Sequence, residues 1–321
     1  MKILLLGGAG FIGTNLAIRL AADPENRITV ADRHPAYFRH LAKMGFPNVR
    51  PMLSDLSFDE DYDALLAGQD VVYHLISTSM PTNSNQHIPE ELKANVLLSA
   101  NLFEACMRQK VGKVVFISSG GTVYGKESAC PLSEEMPIKP ITSYGVQKAT
   151  IEKLLYLYSY MYGLDYRIIR LANPYGPYQR PNGELGAVTT FTYKALRGEE
   201  IEVYGDGSVV RDFIYIDDAI RGILNIVNGN AAERVFNLGS GQGTSILQVL
   251  ETIEKALDVK LNVKFTEART VDVPVNYLNI SRYEEAFGSL HPIPLEEGVC
   301  KTAEFMKSIE WDRRDGSFRS R

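Results

Sequence analysis

Residues 7–13 read GGAGFIG, and this glycine-rich stretch decides the fold. It follows the apolar run Ile3–Leu6, which predicts a buried strand, and it opens a helical pattern with apolar residues at Leu16 and Leu20. Spelled G-x-G-x-x-G from residue 8, it allows a tight turn and a close approach of the backbone to a pyrophosphate. The alternative is an ordinary strand-to-helix turn. We predict a dinucleotide site that includes Gly7, Gly10, Phe11, Ile12 and Gly13.

A second apolar run, Ile28–Asp32, ends in an acid about twenty residues after the glycines. In dinucleotide-binding folds a carboxylate at this place binds the hydroxyls of the ribose. Because a strand precedes the glycines and this acid follows them, a bound dinucleotide is favoured over the ordinary turn.

The composition of the chain excludes several classes of partner. Its 321 residues can form one unit of two lobes, and a net charge of −5 gives no attraction to nucleic acid or an anionic membrane. Cys106, Cys130 and Cys300 lie far apart and show no metal-binding or redox spacing. A predicted strand at the N-terminus leaves no room for a signal peptide, and no apolar run reaches membrane-spanning length. We therefore expect a cytoplasmic protein without a metal.

Strand-like runs alternate with helical patterns through the first half of the chain, which predicts a parallel sheet with crossover helices. The predicted strands are Ile3–Leu6, Ile28–Asp32, Val49–Ser54, Val71–Leu75, Val114–Ser118 and Tyr166–Arg170. The predicted helices are Pro35–Lys43, Glu90–Gln109 and Ser143–Tyr162. We expect an α/β fold with a Rossmann-type doubly wound parallel sheet.

The domain boundaries follow from the change of character in the second half of the chain. Residues 1–173 form the predicted dinucleotide-binding lobe, to which 209–240 return, and 174–310 form a smaller α/β lobe. Asp217 or Asp218 is interpreted as the cap of a helix over Ala219–Val227. The charged residues 311–321 are expected to be a flexible tail.

Tyr144 and Lys148 lie four residues apart in a predicted helix, which places both side chains on one face, one turn apart. A phenol is a poor base at neutral pH because its pKa is near ~10, and a nearby ammonium lowers that pKa. Tyr144 can then exchange a proton with a substrate hydroxyl, and Lys148 can also bond the nicotinamide ribose. Such a pair is common on helices, so the hypothesis depends on its place after a dinucleotide motif.

Polar residues follow the predicted strand Val114–Ser118, in the sequence SSGGTVYG over residues 118–125. Open α/β sheets bind ligands beyond the carboxyl ends of their strands. The hydroxyls of Ser119 and Thr122 can hold a reacting oxygen there, and the glycines let a substrate come close. The alternative is a polar turn without a ligand.

Three further side chains are candidates for binding an anion. Asn173 can offer its amide to a phosphate or a sugar hydroxyl, or it can cap the turn before Pro174. Arg211 follows a glycine-rich turn, and Arg269 is followed by Asp272; each planar guanidinium fits a diphosphate but can equally form a surface ion pair.

These residues in this order resemble the extended short-chain dehydrogenase/reductase family, and within it the nucleotide-sugar epimerase/dehydratase group. The resemblance covers nearly the whole chain, from Gly7 to about Cys300. It implies a tightly bound NAD, because Asp32 on the adenosine ribose would repel the extra phosphate of NADP, although the neighbouring Arg33 leaves NADP open. Further implied cofactor contacts are Arg33, Asp55, Leu56, Leu75, Asn95, Ser118, Tyr144 and Lys148. The implied substrate contacts are Thr122, Asn173, Val188, Tyr204, Arg211, Arg269, Asp272 and Asn276.

One position departs from the family pattern. Members usually carry a catalytic Ser or Thr four residues before the Tyr of the Val-Tyr-Gly run, and here that position is Gly120. We expect the hydroxyl from Thr122, on the same face if the stretch is extended, with Ser119 or a water as alternatives. Sugar 4,6-dehydratases place Asp-Glu where this chain has Gly121 and Thr122, and decarboxylases tend to carry a Glu in this loop.

The resemblance therefore implies a 4-epimerase of a UDP-hexose that acts through a transient 4-keto sugar. The substrate would be UDP-glucose or UDP-galactose, or the N-acetylhexosamine or uronate analogue. Asn276 stands where related epimerases have a bulky Tyr, which implies tolerance of N-acetylated hexosamines. A homodimer through the helices Glu90–Gln109 and Ser143–Tyr162 is implied as well. The alternatives are an NAD(P)H-dependent keto-sugar reductase, a nucleotide-sugar 4,6-dehydratase and a non-catalytic dinucleotide-binding protein.

Overall fold

The structure is a computed structural model that describes residues 1–79, 84–126, 129–182, 186–269, 273–312 and 318–320. Its strands, in chain order, are β1 (Lys2–Leu6), β2 (Arg27–Asp32), β3 (Val49–Leu53), β4 (Val71–His74), β5 (Lys113–Ser119), β6 (Tyr166–Leu171), β7 (Asn173–Tyr175), β8 (Ile201–Tyr204), β9 (Val210–Arg211), β10 (Phe213–Tyr215), β11 (Val235–Leu238), β12 (Thr244–Ser245), β13 (Val263–Thr266), β14 (Val275–Asn276), β15 (Ile309–Trp311) and β16 (Phe318–Ser320).

The helices, in chain order, are α1 (Phe11–Ala21), α2 (Arg39–Met44), α3 (Tyr62–Leu66), α4 (Ile88–Glu91), α5 (Leu98–Arg108), α6 (Ser143–Tyr162), α7 (Ala187–Ala195), α8 (Ile216–Asn228), α9 (Ile246–Leu257), α10 (Ser281–Phe287) and α11 (Leu295–Ser308). A 3₁₀ turn, Pro35–Phe38, precedes α2. A π-helical segment, Leu92–Leu97, joins α4 to α5, so the predicted helix over Glu90–Gln109 has an irregular middle.

Seven strands form one parallel sheet in the order β11-β6-β5-β4-β1-β2-β3. The predicted Rossmann-type doubly wound fold is confirmed, and each of the six predicted strands is present. The order reverses between β1 and β4, and ligands of such sheets bind beyond the carboxyl ends of the strands at this reversal. The sequence did not predict β11, which pairs with β6 at one edge.

The sheet separates two apolar cores because side chains alternate along each strand. On β1, Ile3 and Leu5 face a core that contains Leu16 of α1. Leu4 and Leu6 face a second core that contains residues of α5 and α6. Both faces are therefore covered by helices, as a parallel sheet requires.

The second lobe contains α7, α9 and the short strands β8 and β13, which pair in parallel. Ile201, Val203 and Leu250 form its small core. Three strands, β12, β9 and β14, form a separate sheet whose central strand carries Arg211.

Two local predictions differ from the structure. Helix α8 begins at Ile216 and not at residue 219, so Asp217 and Asp218 lie inside its first turn and neither is the cap. Asp218 instead accepts from the Ile293 amide at 2.9 Å and pairs with Arg221 at 2.7 Å. At the terminus predicted to be a flexible tail, the described residues form a strand pair, β15 with β16.

In the described ranges, no helix combines the length and the apolar character that crossing a bilayer requires. Within the same ranges, no group of three or more His, Cys, Asp or Glu side chains could hold a metal ion.

Candidate active site

The glycine-rich turn has the geometry that its sequence predicts. Gly7 has a φ of +74°, and a Cβ there would lie 3.1 Å from the Ile76 amide nitrogen. A Cβ at Gly13 would lie 2.4 Å from the Gly8 carbonyl oxygen, so helix α1 packs directly on the turn. Gly10 is the N-cap residue of α1. Because it has no side chain that could bond the first amides of the helix, these amides are open to a ligand. These features fit the pyrophosphate of a dinucleotide.

The Asp32 carboxylate lies beside this turn. It is buried, and its Oδ2 accepts from the Ala9 amide at 3.1 Å. Its Oδ1 accepts from the Arg33 amide at 2.8 Å, whereas the Arg33 side chain donates to the His34 ring at 3.2 Å. The carboxylate therefore joins the end of β2 to the glycine turn, where a ribose beyond the pyrophosphate would lie.

The other predicted cofactor contacts lie around the ends of β3 and β4. Leu56 is buried with a φ of +50°, and Asp55 is exposed beside it. The backbone of Leu75 runs along Gly7, where a Cβ would lie 3.2 Å from the Leu75 carbonyl carbon. Asn95 holds the segment after β4, because its Oδ1 accepts from the Thr78 amide at 3.0 Å and its Nδ2 donates to the Thr78 hydroxyl at 2.9 Å.

A cavity of about 480 Å³ opens beyond the carboxyl ends of β5 and β6 and extends into the second lobe. The predicted site residues that line it are Phe11, Ile12, Ser118, Ser119, Thr122, Tyr144, Asn173, Val188, Tyr204, Arg211 and Arg269. Lys148 and Asn276 are buried behind its wall. The predicted substrate contact Asp272 lies outside the described residues.

Sequence reasoning missed several polar residues in the cavity wall, among them Thr190 and Glu202. Thr190 of α7 is buried, and its hydroxyl has no hydrogen-bond partner among the described residues. Glu202 of β8 lies on the same cavity. Thr190 lies two residues after the predicted Val188, a spacing that turns it to another side of α7, so helical spacing from Val188 could not have indicated it.

The first turn of α6, which carries Tyr144, is held by a dense set of caps. The Thr142 hydroxyl accepts from the Gly145 amide at 3.2 Å. Asn85 accepts from the Ser143 amide at 2.8 Å, and Ser84 accepts from the Tyr144 amide at 3.1 Å. Because the open amides of the helix start are satisfied in this way, the backbone of Tyr144 is fixed at the cavity.

Lys148 lies one turn along α6 and points toward β5. Its Nζ donates to the Ile117 carbonyl oxygen at 3.0 Å and lies 5.5 Å from the centroid of the Tyr144 ring. Burial lowers the pKa of Lys148 to about 8, against the opposing effect of the Glu152 carboxylate. Burial raises the pKa of Tyr144 to about 12, which is opposite to the direction that the sequence predicts. In the protein alone, loss of hydration therefore outweighs the neighbouring ammonium.

A buried ion pair lies behind Lys148. Glu152 accepts three bonds from the guanidinium of Arg170, the shortest at 2.8 Å. The Ser118 hydroxyl also donates to Glu152, at 2.5 Å, and Arg170 donates to the Tyr124 hydroxyl at 3.0 Å. This network joins α6, β5 and β6 beneath the cavity.

The far end of the cavity carries the cationic residues. Arg211 donates from Nη1 to the carbonyl oxygens of Val210 at 2.9 Å and Val273 at 2.6 Å, which orients its guanidinium in the wall. Arg269 stacks on Tyr204, with its guanidinium carbon 3.5 Å from the ring centroid. This end of the cavity suits a doubly charged anion.

Asn173 and Asn276 make bonds that the sequence did not predict. The Asn173 amide donates to the Asp212 carbonyl oxygen at 2.9 Å, so it joins β7 to the start of β10 while lining the cavity. Asn276 is paired with Arg211 between β14 and β9, and its amide donates to the Gly121 carbonyl oxygen at 3.3 Å. Its side chain supports the cavity wall from behind.

The family model for the NAD dependent epimerase/dehydratase family matches residues 3–239, which span about three quarters of the chain. The chain belongs to this family. The UDP-glucose 4-epimerase of Mycolicibacterium smegmatis is 33% identical to it over 96% of this chain and 99% of that protein.

Two solved structures of family members are similar over nearly their full length. The UDP-glucose 4-epimerase of Thermotoga maritima with UDP-glucose has a TM-score of 0.87 at 31% identity, covering 96% of this chain and 99% of that one. The UDP-N-acetylglucosamine 4-epimerase of Methanobrevibacter ruminantium with UDP-N-acetylmuramic acid has a TM-score of 0.87 at 30% identity, covering 96% and 98%.

Proposed function

We propose that the protein is an NAD-dependent 4-epimerase of UDP-hexoses. The observation that carries the proposal is one continuous cavity whose wall contains Tyr144, Phe11 and Ile12 of the glycine-rich stretch, and the cations Arg211 and Arg269. Both the family and two similar epimerases support it. UDP-glucose and UDP-galactose are the proposed pair of substrates.

The dinucleotide is held by the turn at Gly7, the open start of α1 and the Asp32 carboxylate. Bound NAD supplies a reversible hydride acceptor for the sugar carbon. The favoured form is NAD, because Asp32 would lie against the additional phosphate of NADP.

Tyr144 takes the proton of the sugar 4-hydroxyl on its phenol oxygen and later returns it. The Lys148 ammonium, held by the Ile117 carbonyl, stabilises the phenolate that this requires. The 4-keto sugar is planar at C4, so the hydrogen can return to either face. Arg211 and Arg269 keep the diphosphate in place while the sugar turns in the cavity.

The residues that form and support the cavity wall determine which sugars the protein can accept as substrates. Asn276 lies behind the cavity wall and bonds the Gly121 carbonyl oxygen, so a larger residue at this position would push the wall toward the sugar. We expect N-acetylhexosamine substrates to be accepted beside plain hexoses, in line with the similarity to a UDP-N-acetylglucosamine 4-epimerase. No conversion of UDP-N-acetylglucosamine beside activity on UDP-glucose would contradict this.

We also propose a homodimer through α6 and the helical segment 88–108. Tyr156, Leu157, Tyr160 and Met161 are exposed on one side of α6, with Tyr160 at 77% and the rings of Tyr156 and Tyr160 stacked. An apolar surface of this kind is typical of a protein interface. The three free cysteines, one of them buried, fit the reducing cytoplasm.

Incubation with a panel of UDP-hexoses, followed by ¹H NMR of the sugars, tests the function. We expect UDP-glucose and UDP-galactose to interconvert with no net change in absorbance of the reduced nicotinamide. A keto-sugar reductase would consume reduced cofactor stoichiometrically, and a dehydratase would release a deoxy-keto sugar. Failure of every UDP-hexose to convert would contradict the proposal.

A further inference from the structure

A loop of the second lobe, residues 176–180, crosses to the part of the first lobe where β2 ends, and we call it the crossing loop. It starts directly after β7. On the second-lobe side it is held by Thr189 of α7, whose hydroxyl accepts from the Gly176 amide at 3.3 Å and donates to the side-chain oxygen of Gln179. The crossing loop is therefore attached to a helix that lines the cavity.

The backbone in the middle of the crossing loop has an unfavourable conformation. Tyr178 has a φ of +68°, in the left-handed region that bulky residues rarely adopt. Such a conformation persists only where the surrounding structure holds it. The Tyr178 ring stacks on His40 of α2 with the ring centroids 5.2 Å apart, and it meets Phe305 of α11 edge-on at 4.7 Å. The loop is thus packed between one helix of each lobe.

His40 and Asn15 join the crossing loop to the helix that follows the glycine-rich turn. The His40 ring shares a hydrogen bond with the Thr14 hydroxyl of α1, with 2.9 Å between Nε2 and Oγ1. Burial, with a smaller effect of the Arg180 charge, lowers the pKa of His40 to about 4, so the ring is uncharged at neutral pH and packs as an aromatic. The Asn15 amide, also on α1, donates to the Pro177 carbonyl oxygen at 2.9 Å. The loop is therefore fixed to the helix whose first amides are open to a pyrophosphate.

Arg180 ends the crossing loop over the segment that follows Asp32. Its guanidinium carbon lies 3.5 Å from the centroid of the Tyr37 ring, in the 3₁₀ turn after β2. Burial lowers the pKa of Arg180, against the opposing effects of Tyr37 and the Asp32 carboxylate, so the guanidinium lies near that carboxylate where burial limits water. A guanidinium on an aromatic face is bound most strongly where water is excluded. Because Asp32 is the carboxylate of the ribose site, the stacked pair lies beside that ribose.

We propose that Arg180 and Tyr37 form a clamp, supplied in part by the second lobe, that closes the adenosine end of the NAD site and retains NAD between turnovers. The inference rests on the bound NAD of the proposed function and not on the choice of sugar. The proposed reaction returns NAD to its starting form in each cycle, so release of the cofactor is not part of turnover. A clamp at this end therefore holds the cofactor without slowing the reaction.

Exchange of the bound NAD tests the clamp. The purified holoenzyme is mixed with excess radiolabelled NAD and freed of unbound cofactor at intervals, and the bound label is counted. In Arg180→Ala we expect exchange to be about 10–30-fold faster, because the variant removes a stacked and desolvated guanidinium. Tyr37→Leu, which removes the ring and keeps an apolar side chain, should give a similar increase.

The matched control is Arg197→Ala. Arg197 is exposed and also stacks on a tyrosine, Tyr193, but both residues belong to the second lobe. Its NAD exchange should stay within about twofold of wild type. The double variant of Arg180→Ala and Tyr37→Leu should exchange no faster than the faster single variant, because both act on one contact.

Exchange within about twofold of wild type in both Arg180→Ala and Tyr37→Leu would overturn the inference, and so would equal acceleration in Arg197→Ala. Additive increases in the double variant would overturn the claim that the two residues act as one clamp. If Arg180→Ala does not fold, Tyr37→Leu decides alone.

The exchange is measured without a sugar, so its outcome is independent of the epimerase assay. Unchanged exchange in the variants, beside interconversion of UDP-glucose and UDP-galactose by the wild type, would overturn the clamp and leave the proposed function intact. Faster exchange in Arg180→Ala, beside a wild type that converts no UDP-hexose, would support the clamp and contradict the function.

Discussion

Lys148 Nζ bonds the Ile117 carbonyl oxygen at 3.0 Å and lies 5.5 Å from the centre of the Tyr144 ring. The ammonium is therefore fixed by β5 at a distance from which it can stabilise a phenolate without bonding it in the free protein. Proton exchange at Tyr144 depends on this arrangement in the proposed reaction.

The first prediction concerns pH. Burial lowers the pKa of Lys148 to about 8, so the ammonium is present below that pH and is lost above it. Tyr144, whose pKa burial raises to about 12, stays largely protonated over this range, so its phenolate fraction rises with pH while the ammonium is lost above pH 8. We therefore expect kcat to rise up to about pH 8 and to level off above it. The measurement is the pH profile of kcat from 6.5 to 9.5. Lys148→Arg, which stays charged throughout, should show low activity that keeps rising with pH; a plateau near pH 8 in that variant would contradict the assignment.

The second prediction concerns the buried pair beneath the cavity. Glu152→Gln leaves Arg170 buried without its counter-charge, and we expect the free energy of unfolding to drop by about 3–5 kcal/mol. The matched control is Glu296→Gln, which breaks the exposed pair with Lys255 and should cost less than about 1 kcal/mol. Urea denaturation measures both, and equal losses would show that burial does not set the strength of these pairs.

The Rossmann sheet was predictable because strands such as Lys2–Leu6 and Lys113–Ser119 contain short apolar runs, and because the spacing of the glycines indicates the tight turn. The strand Val235–Leu238 was not predicted for two reasons. It is only four residues long, and its pairing partner, Tyr166–Leu171, is distant in sequence. Local pattern alone does not reveal such a pairing.

The candidate site was less predictable. Helical spacing put Tyr144 and Lys148 on one face, but the raised pKa of Tyr144 depends on burial by residues from several elements. The family resemblance predicts Asn276 at the sugar, whereas its amide bonds the Gly121 carbonyl oxygen from behind the cavity wall. The sequence predicts Asp217 or Asp218 as the helix cap because acids are frequent there, yet α8 begins earlier at Ile216.

The third prediction compares the structural roles of two glycines in the turn. Gly13→Ala should destabilise the free protein by about 1–3 kcal/mol, because the added Cβ would lie 2.4 Å from the Gly8 carbonyl oxygen. Gly10→Ala has its nearest contact at 3.5 Å and should be close to neutral for folding. Both should weaken NAD binding, measured by calorimetry beside thermal melting. A stable Gly13→Ala protein would contradict the packing argument.

The fourth prediction concerns the anion end of the cavity. Arg211→Ala should weaken UDP binding by about 10–100-fold, because charge-assisted bonds to a diphosphate contribute about 1.5–3 kcal/mol. Arg108→Ala, an exposed residue paired with Asp63 outside the cavity, is the control and should not change the Kd. Titration calorimetry with UDP measures both, and unchanged UDP affinity in Arg211→Ala would remove it from the anchor.

The fifth prediction concerns assembly. Tyr160→Glu places a charge in the exposed face of α6 and should convert the proposed dimer to a monomer. Phe265→Glu alters an exposed aromatic residue on β13 in the second lobe and should leave the dimer intact. Size-exclusion chromatography with light scattering distinguishes them. A wild-type protein that is monomeric would contradict the proposed dimer.

The most direct test of the account is the rate at which Tyr144→Phe interconverts UDP-glucose and UDP-galactose, followed by ¹H NMR, with the bound NAD of each preparation measured in parallel. We predict that the variant loses about 10³-fold or more in kcat while its NAD content matches that of the wild type. Wild-type rates in Tyr144→Phe would contradict the central claim that this phenol carries the proton of the sugar hydroxyl.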